Sequence, residues 1–134
     1  MDKLIGRTIL SVTESSKGTL CLDGPHKPYW GTQVFVALKL DDWAQAAFYH
    51  EQDCCEDVWL EDKDGDWDDI IGNPILEASV VTEPQRDDRD YVDWTFYKIR
   101  TIKGSLTLRF CGDGGGYYST DVGFKIIEMP AEQT

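Results

Sequence analysis

The sequence predicts a mainly β fold: a single compact antiparallel sandwich, roll or barrel of about eight short strands, with at most one or two short helical turns. Several segments alternate apolar and polar residues with a period of two, and no long segment has the 3.6-residue period of a helix. Gly, Asp and Pro residues separate these segments. A chain of 134 residues fits one domain, which we assign to residues 1–128, followed by a flexible tail at 129–134.

The strands follow in order from this alternation. The strongest patterns cover 34–40, 94–100, 105–110 and 122–126, and weaker ones cover 8–14, 19–23 and 75–82. In the first of these, residues 34, 36, 38 and 40 form one apolar face. Lys103-Gly104 predicts a tight turn that joins two strands in a hairpin.

Three segments have weaker or different patterns. Residues 42–49 fit either a short helix capped by Asp41 or Asp42 or an alternating strand. Residues 67–71 fit one helical turn before Gly72-Asn73-Pro74. The segment 83–90 has no apolar anchor and is predicted to be a mobile loop.

The charge of the chain is concentrated in one segment. The chain has 25 acidic and 13 basic residues, and 16 of the acidic but only three of the basic ones lie between Glu51 and Asp93. The simplest interpretation is a solvated acidic face. The alternative is a mimic of nucleic-acid charge, because the 13 net charges of this segment match those on about 22 Å of duplex DNA. Either way, the segment repels phosphate, so we expect no direct binding to nucleic acid or to an anionic membrane through it.

The mimic hypothesis names specific partner-binding residues. Acidic side chains would meet a basic surface, and Trp67 is expected to be an exposed aromatic anchor beside them. The candidates are Asp62, Asp64, Asp66, Trp67, Asp68, Asp69, Asp87, Asp88 and Asp90.

The cysteines bear on the compartment. The N-terminal residues lack the apolar stretch of a signal peptide, which predicts a cytoplasmic protein with free thiols. The adjacent residues Cys54 and Cys55 would point to opposite faces of a strand, which disfavours a disulfide or a shared metal.

The segment His50-Glu51-Gln52-Asp53-Cys54-Cys55-Glu56 is the first candidate for chemistry. On a helix, His50 and Cys54 could both reach a zinc ion, whereas on a strand their Cα atoms would lie about 13 Å apart. Two more ligands would be needed, with Cys21, His26 and Cys111 as candidates. We therefore expect a buried structural motif and no metal, with a zinc-stabilised module as an alternative. With two histidines and no serine nucleophile motif, the sequence predicts no enzyme, no catalytic residue and no cofactor.

Two other segments suggest ligand sites. The carboxylates of residues 62–68 resemble the start of a calcium loop, but the positions of Gly65 and Asn73 do not fit the motif, so an acidic turn is expected. The glycine-rich segment 112–116 predicts a wide turn or bulge that presents Tyr117 and Tyr118. With Arg109, these tyrosines form a possible ligand platform. If the basic residues of the 94–110 hairpin cluster there, a nucleotide signal is a candidate ligand.

The segment from about His50 to Phe124 resembles a small uncharacterised family associated with bacteriophages and prophages. The resemblance rests chiefly on the 50–56 segment, on Trp94-Thr95-Phe96-Tyr97-Lys98 and on Gly116-Tyr117-Tyr118-Ser119. It implies a phage-related origin, and small acidic phage proteins include DNA-mimicking antirestriction and anti-CRISPR inhibitors. The leading hypothesis is therefore a non-enzymatic protein that inhibits a nucleic-acid-binding defence protein in the host cytoplasm.

Overall fold

A computed structural model describes residues 1–20, 32–86, 91–115 and 118–127. Eight strands lie in these ranges: β1 (Ile9–Glu14), β2 (Thr32–Leu40), β3 (Gln45–Glu51), β4 (Asp57–Asp64), β5 (Glu77–Arg86), β6 (Tyr91–Thr101), β7 (Gly104–Asp113) and β8 (Gly123–Ile127). They form two antiparallel four-stranded sheets. Sheet I has the order β1-β2-β3-β8, and sheet II has the order β4-β7-β6-β5.

The predicted mainly β fold is confirmed, and of the architectures considered it is sandwich-like. Over the described ranges the helical content is limited to two 3₁₀ turns, Asp2–Leu4 and Trp67–Asp69. The helical alternative for residues 42–49 was wrong, because Gln45–Glu51 is strand β3, hydrogen-bonded to β2 on one side and to β8 on the other. None of the helical segments described here is long and apolar enough to span a membrane.

Aromatic side chains join the two sheets at the centre of the core. Phe48 of sheet I lies 4.8 Å, centroid to centroid, from Tyr97 of sheet II, and Phe35 lies 5.5 Å from Phe110. All four side chains are buried. The Tyr97 hydroxyl donates to the backbone oxygen of Val122, 2.5 Å away, which satisfies a polar atom that would otherwise be buried without a partner.

A β-bulge in β2 changes the predicted apolar face. The register with β3 shifts between Val34 and Val36, so an extra residue lies between them. Phe35 and Val36 therefore both join the main core, whereas Val34 packs with Ala47 in a separate small cluster. The prediction of one continuous face over residues 34–40 was wrong at its first position.

Several boundaries also differ from the expectations. Strand β4 was not predicted, and β5 extends to Arg86, so residues 83–86 are strand rather than loop. The predicted hairpin is confirmed, with Ile102 and Lys103 as the turn residues between paired Thr101 and Gly104. Thr19 makes an isolated bridge. The rest of the predicted 83–90 loop, most of the predicted 19–23 strand and the 129–134 tail lie outside the described residues.

Candidate functional site: an acidic edge and a disulfide loop

Strand β4 is an edge strand of sheet II and pairs only with β7 within that sheet. Its first half buries Val58 and Leu60 in the core. A register shift follows between Leu60 and Asp62, and the last four residues of the strand are all exposed. The sequence explains this change, because apolar alternation stops at Leu60 and charged residues take every position from Glu61 to Asp64.

The carboxylates of β4 continue into the following 3₁₀ turn. We call this set the acidic edge, and all its members are exposed. It contains Asp57, Glu61, Asp62, Asp64, Asp66, Asp68 and Asp69. Lys63 is the one basic residue between Asp57 and Asp69, so this stretch of the chain has a net charge of −6.

Some of these carboxylates have structural partners. The Arg109 guanidinium donates to Asp62 over 3.3 Å, and the Asp66 carboxylate accepts the backbone N–H of Asp68 over 3.0 Å as a cap of the 3₁₀ turn. Within the described chain, the structure gives the side chains of Asp64, Asp68 and Asp69 no hydrogen bond or ion pair. Asp57 shares this property at the start of β4, so among the described residues Asp64, Asp68 and Asp69 are the unpartnered carboxylates at the end of the edge that leads into the 3₁₀ turn.

The remaining acidic candidates follow β5 in the sequence. Asp87, Asp88 and Asp90 lie outside the described residues, but the strands that flank them are described. The strand register pairs Val92 with Asp113 and Asp113 with Asp57. The start of β6 and the start of β4 therefore lie at the same end of sheet II. The turn with Asp66, Asp68 and Asp69 follows the opposite end of β4. The flanking strand ends and this turn therefore belong to opposite ends of sheet II.

Trp67 has a different role from the expected one. Its side chain belongs to the main core and is only 6% exposed. Its indole Nε1 donates to the Glu14 carboxylate over 2.9 Å. The expectation of an exposed aromatic anchor was therefore wrong, because the 3₁₀ turn directs this ring inward.

Residues 52–56 between β3 and β4 form what we call the disulfide loop. Cys54 and Cys55 are bonded to each other, and both residues are exposed. The expectation that these cysteines would not pair was wrong, because they lie in a bend rather than on a strand and the alternation of strand side chains does not apply. The expectation of free thiols holds for Cys111, which is free and buried.

A buried ion pair anchors the disulfide loop. Glu56 Oε2 lies 2.8 Å from His50 Nε2, and their side chains are 0% and 2% exposed. Glu56 also accepts the backbone N–H groups of Asp53 and Cys54 over 2.8 and 2.9 Å. Burial raises the pKa of Glu56, but these hydrogen bonds outweigh it and lower the pKa to about 2. The carboxylate is therefore ionised at neutral pH.

Both ring nitrogens of His50 face oxygen atoms of the protein. Its Nδ1 lies 2.7 Å from the backbone oxygen of Asp121, which can only accept, and its Nε2 faces the ionised Glu56 carboxylate. Oxygen atoms of the protein therefore engage both ring nitrogens. Cys54 has no free thiolate, because it is bonded to Cys55. The zinc candidates His50 and Cys54 are therefore engaged by other groups of the protein, and no metal-binding cluster was found among the described residues.

Two residues of the predicted ligand platform line different cavities. Tyr118 lines an open cavity beside the disulfide loop, whereas Arg109 lines a different cavity with Trp94 and Phe96. Tyr117 lies outside the described residues. Lys98 and Arg109 project to the same outer face of sheet II, opposite the buried Tyr97 and Leu108.

Two features of the site were missed from the sequence. The pairing of Cys54 with Cys55 depends on a bend that periodicity does not reveal. The partnership of His50 with Glu56 depends on residues six apart that meet because the chain turns between them. The sequence contains one sign of these contacts: two cysteines and a glutamate follow a histidine near the end of a strand.

Of the comparisons with known proteins, one gives a match. Neither the curated proteins nor the solved structures include a significant match to the chain. A family model described as "Domain of unknown function (DUF7448)" matches residues 2–124, which include the acidic edge, the disulfide loop and all of the core. The chain therefore belongs to this DUF7448 family.

Proposed function

We propose that this chain is a non-enzymatic phage or prophage protein that inhibits a host defence system, of the anti-CRISPR or antirestriction type. The acidic edge would occupy the basic nucleic-acid-binding surface of a host protein in the cytoplasm. The observation that carries the proposal is the exposed run of seven carboxylates along one edge strand and its turn.

The size of the acidic edge defines what it could cover. Strand β4 has eight residues and so extends over about 23 Å, at roughly 3.3 Å per residue. The net charge of −6 equals that on about 10 Å of duplex DNA. The edge would therefore replace the phosphates that contact a small group of lysines and arginines, rather than a long duplex.

Charge also favours this surface over the parts of the chain outside residues 51–93, because residues 57–69 alone have a net charge of −6. The chain outside residues 51–93 has nine acidic and ten basic residues, so it offers no comparable field. Complementary charge would speed the encounter with a basic surface and would weaken as salt screens it.

The proposal is tested by capture from the lysate of a bacterial host. The wild-type chain should retain a nucleic-acid-binding protein at low salt, release it at high salt, and lose it when duplex DNA is added as a competitor. The variant D64K/D68K/D69K should capture none of it. Each of these three residues is exposed, and its side chain has no hydrogen bond or ion pair among the described residues.

A matched control separates the edge from overall charge. D2K/D41K/E83K changes the net charge by the same amount at exposed sites away from the acidic edge. It should capture the partner as the wild type does. Equal capture by the edge variant, or a partner that DNA does not displace, would contradict the proposal.

A second candidate function is the binding of a small aromatic anion, such as a nucleotide, on the outer face of sheet II. The specific observation is a cavity of about 420 Å³ lined by Trp94, Phe96 and Arg109, among others. The Arg109 guanidinium lies 5.6 Å from the Trp94 ring centroid. A nucleotide screen by thermal shift tests this candidate, since a bound ligand raises the melting temperature, and R109Q should abolish the shift.

A further inference from the structure

The Cys54–Cys55 disulfide is poorly suited to a structural role. Stabilisation by a disulfide grows with the length of the loop it closes, because it constrains the unfolded chain. Adjacent cysteines close the shortest loop that a chain allows. The bond therefore adds little to the stability of a domain that already has a large core.

The disulfide is accessible from solvent. Both cysteines are exposed, and Cys55 lines an open cavity of about 490 Å³. The other residues that line this cavity are Asp57, Asp113, Gly114, Gly115 and Tyr118. Exposed disulfides are typically labile, regulatory or catalytic, whereas resistant ones are structural.

The loop around the disulfide is held by bonds that do not involve sulfur. The Glu56 carboxylate accepts the N–H groups of Asp53 and Cys54, and the buried His50 fixes that carboxylate. The Gln52 side-chain nitrogen also donates to the backbone oxygen of Glu56 over 2.7 Å. Opening the disulfide would therefore leave the ends of the loop in place.

We infer that Cys54 and Cys55 form a thiol–disulfide exchange site whose co-substrate is a dithiol reductant. The site functions in the folded protein, and the fold persists in both redox states. This inference goes beyond the proposed function and does not depend on it, because it needs neither the acidic edge nor a macromolecular partner.

The dithiol supplies both electrons that the exchange needs. One thiolate of the dithiol attacks a sulfur of the Cys54–Cys55 bond from the cavity side, forms a mixed disulfide and releases the other cysteine as a thiolate, which takes up a proton. The second thiol of the reductant then loses its proton, attacks the mixed disulfide and releases the second cysteine. Two electrons pass to the protein, both cysteines become thiols, and the reductant becomes a cyclic disulfide.

The reduced form would be a vicinal dithiol, which is a ligand for trivalent arsenic. An aryl arsenic oxide would form two As–S bonds with Cys54 and Cys55 and release one water molecule. Phenylarsine oxide is therefore a direct probe of two thiols held at one point of the surface.

The experiment is reduction of the folded chain with dithiothreitol, followed by iodoacetamide and peptide mass spectrometry. We expect alkylation at both Cys54 and Cys55 without a change in the far-UV circular dichroism spectrum. An oxidised dithiol should restore the bond. The reduced chain should bind one phenylarsine oxide and the oxidised chain none.

Variants keep the inference falsifiable. C54S/C55S should fold and melt as the reduced wild type does, and should lose all arsenical binding, whereas C111A should retain it. Reduction that occurs only in denaturant, failure of the folded dithiol to re-form the bond, absence of arsenical binding, or an unfolded C54S/C55S variant would each overturn it.

Discussion

Glu56 links the disulfide loop to His50. The Oε2 atom of Glu56 lies 2.8 Å from His50 Nε2, and both side chains are almost fully buried. On the other side of the His50 ring, Nδ1 lies 2.7 Å from the backbone oxygen of Asp121. One buried ion pair therefore connects strand β3, the loop before β4 and the segment that leads into β8.

The first prediction concerns this ion pair. Glu56→Gln should lower the free energy of unfolding by about 3–5 kcal/mol, because it removes the buried carboxylate that partners His50 and two backbone N–H groups. Urea unfolding measures the difference. Glu51→Gln is the control, since this exposed carboxylate should change stability by no more than about 0.5 kcal/mol. Equal stabilities for the two variants would contradict the assignment.

The second prediction is the pH dependence of that difference. The pKa of Glu56 falls from 4.5 to about 2 on folding, so its ionisation stabilises the native state fully above pH 4.5. This contribution is lost as pH falls toward about 2. Urea midpoints of the wild type and Glu56→Gln should therefore converge over this range. A constant gap from neutral pH to pH 2 would show that Glu56 is not ionised in the native state.

The third prediction concerns the reactivity of Cys111. Burial raises the pKa of this thiol to about 11, helped by the negative charges of Glu61 and Asp113. At pH 8 almost none of it is thiolate, which is the reactive form. Iodoacetamide should leave Cys111 unmodified in the native protein and label it after unfolding. Rapid labelling of the native protein would be inconsistent with a buried thiol.

The fourth prediction concerns the aromatic junction of the two sheets. Phe48→Ala should cost about 3–5 kcal/mol, because the ring fills the core between the sheets and contacts Tyr97, Phe110 and Phe124. Tyr97→Phe should cost about 1 kcal/mol through the lost hydrogen bond to Val122. Chemical denaturation measures both. A smaller cost for Phe48→Ala than for Tyr97→Phe would contradict the packing.

The fifth prediction concerns Trp43, in the turn between β2 and β3. Its backbone has φ of +69°, which is unfavourable for a residue with a Cβ atom, and its side chain is 86% exposed. Trp43→Gly should therefore be more stable than Trp43→Ala by about 1 kcal/mol, since only glycine adopts this conformation without strain. Thermal melts of the two variants provide the test. Greater stability of the alanine variant would exclude the left-handed backbone.

The sequence predicted the fold class because burial on one side of a strand produces an apolar period of two. Leu106, Leu108 and Phe110 follow this rule and face the core. Strand β4 escaped prediction because only Val58 and Leu60 carry the pattern before the carboxylates begin. The bulge at Phe35 is set by pairing with β3, and no local pattern reveals it.

The charge of the site could be predicted from the sequence, but the arrangement of its residues could not. Asp62 and Asp64 lie on the exposed edge, as an acidic surface requires, but Trp67 is drawn into the core by a turn whose direction the sequence does not specify. The disulfide and the His50–Glu56 pair arise where the chain bends, and contacts across a bend depend on its three-dimensional path.

The central claim is that the acidic edge binds a basic surface, and its most direct test is affinity against salt concentration. Using the partner captured from the host, titrations would compare the wild type with D64K/D68K/D69K and D2K/D41K/E83K. We expect at least about tenfold weaker binding for the edge variant alone, a loss of roughly 1.4 kcal/mol or more. Its salt dependence should also be shallower. Equal loss in both triple variants, or no loss in either, would contradict the claim.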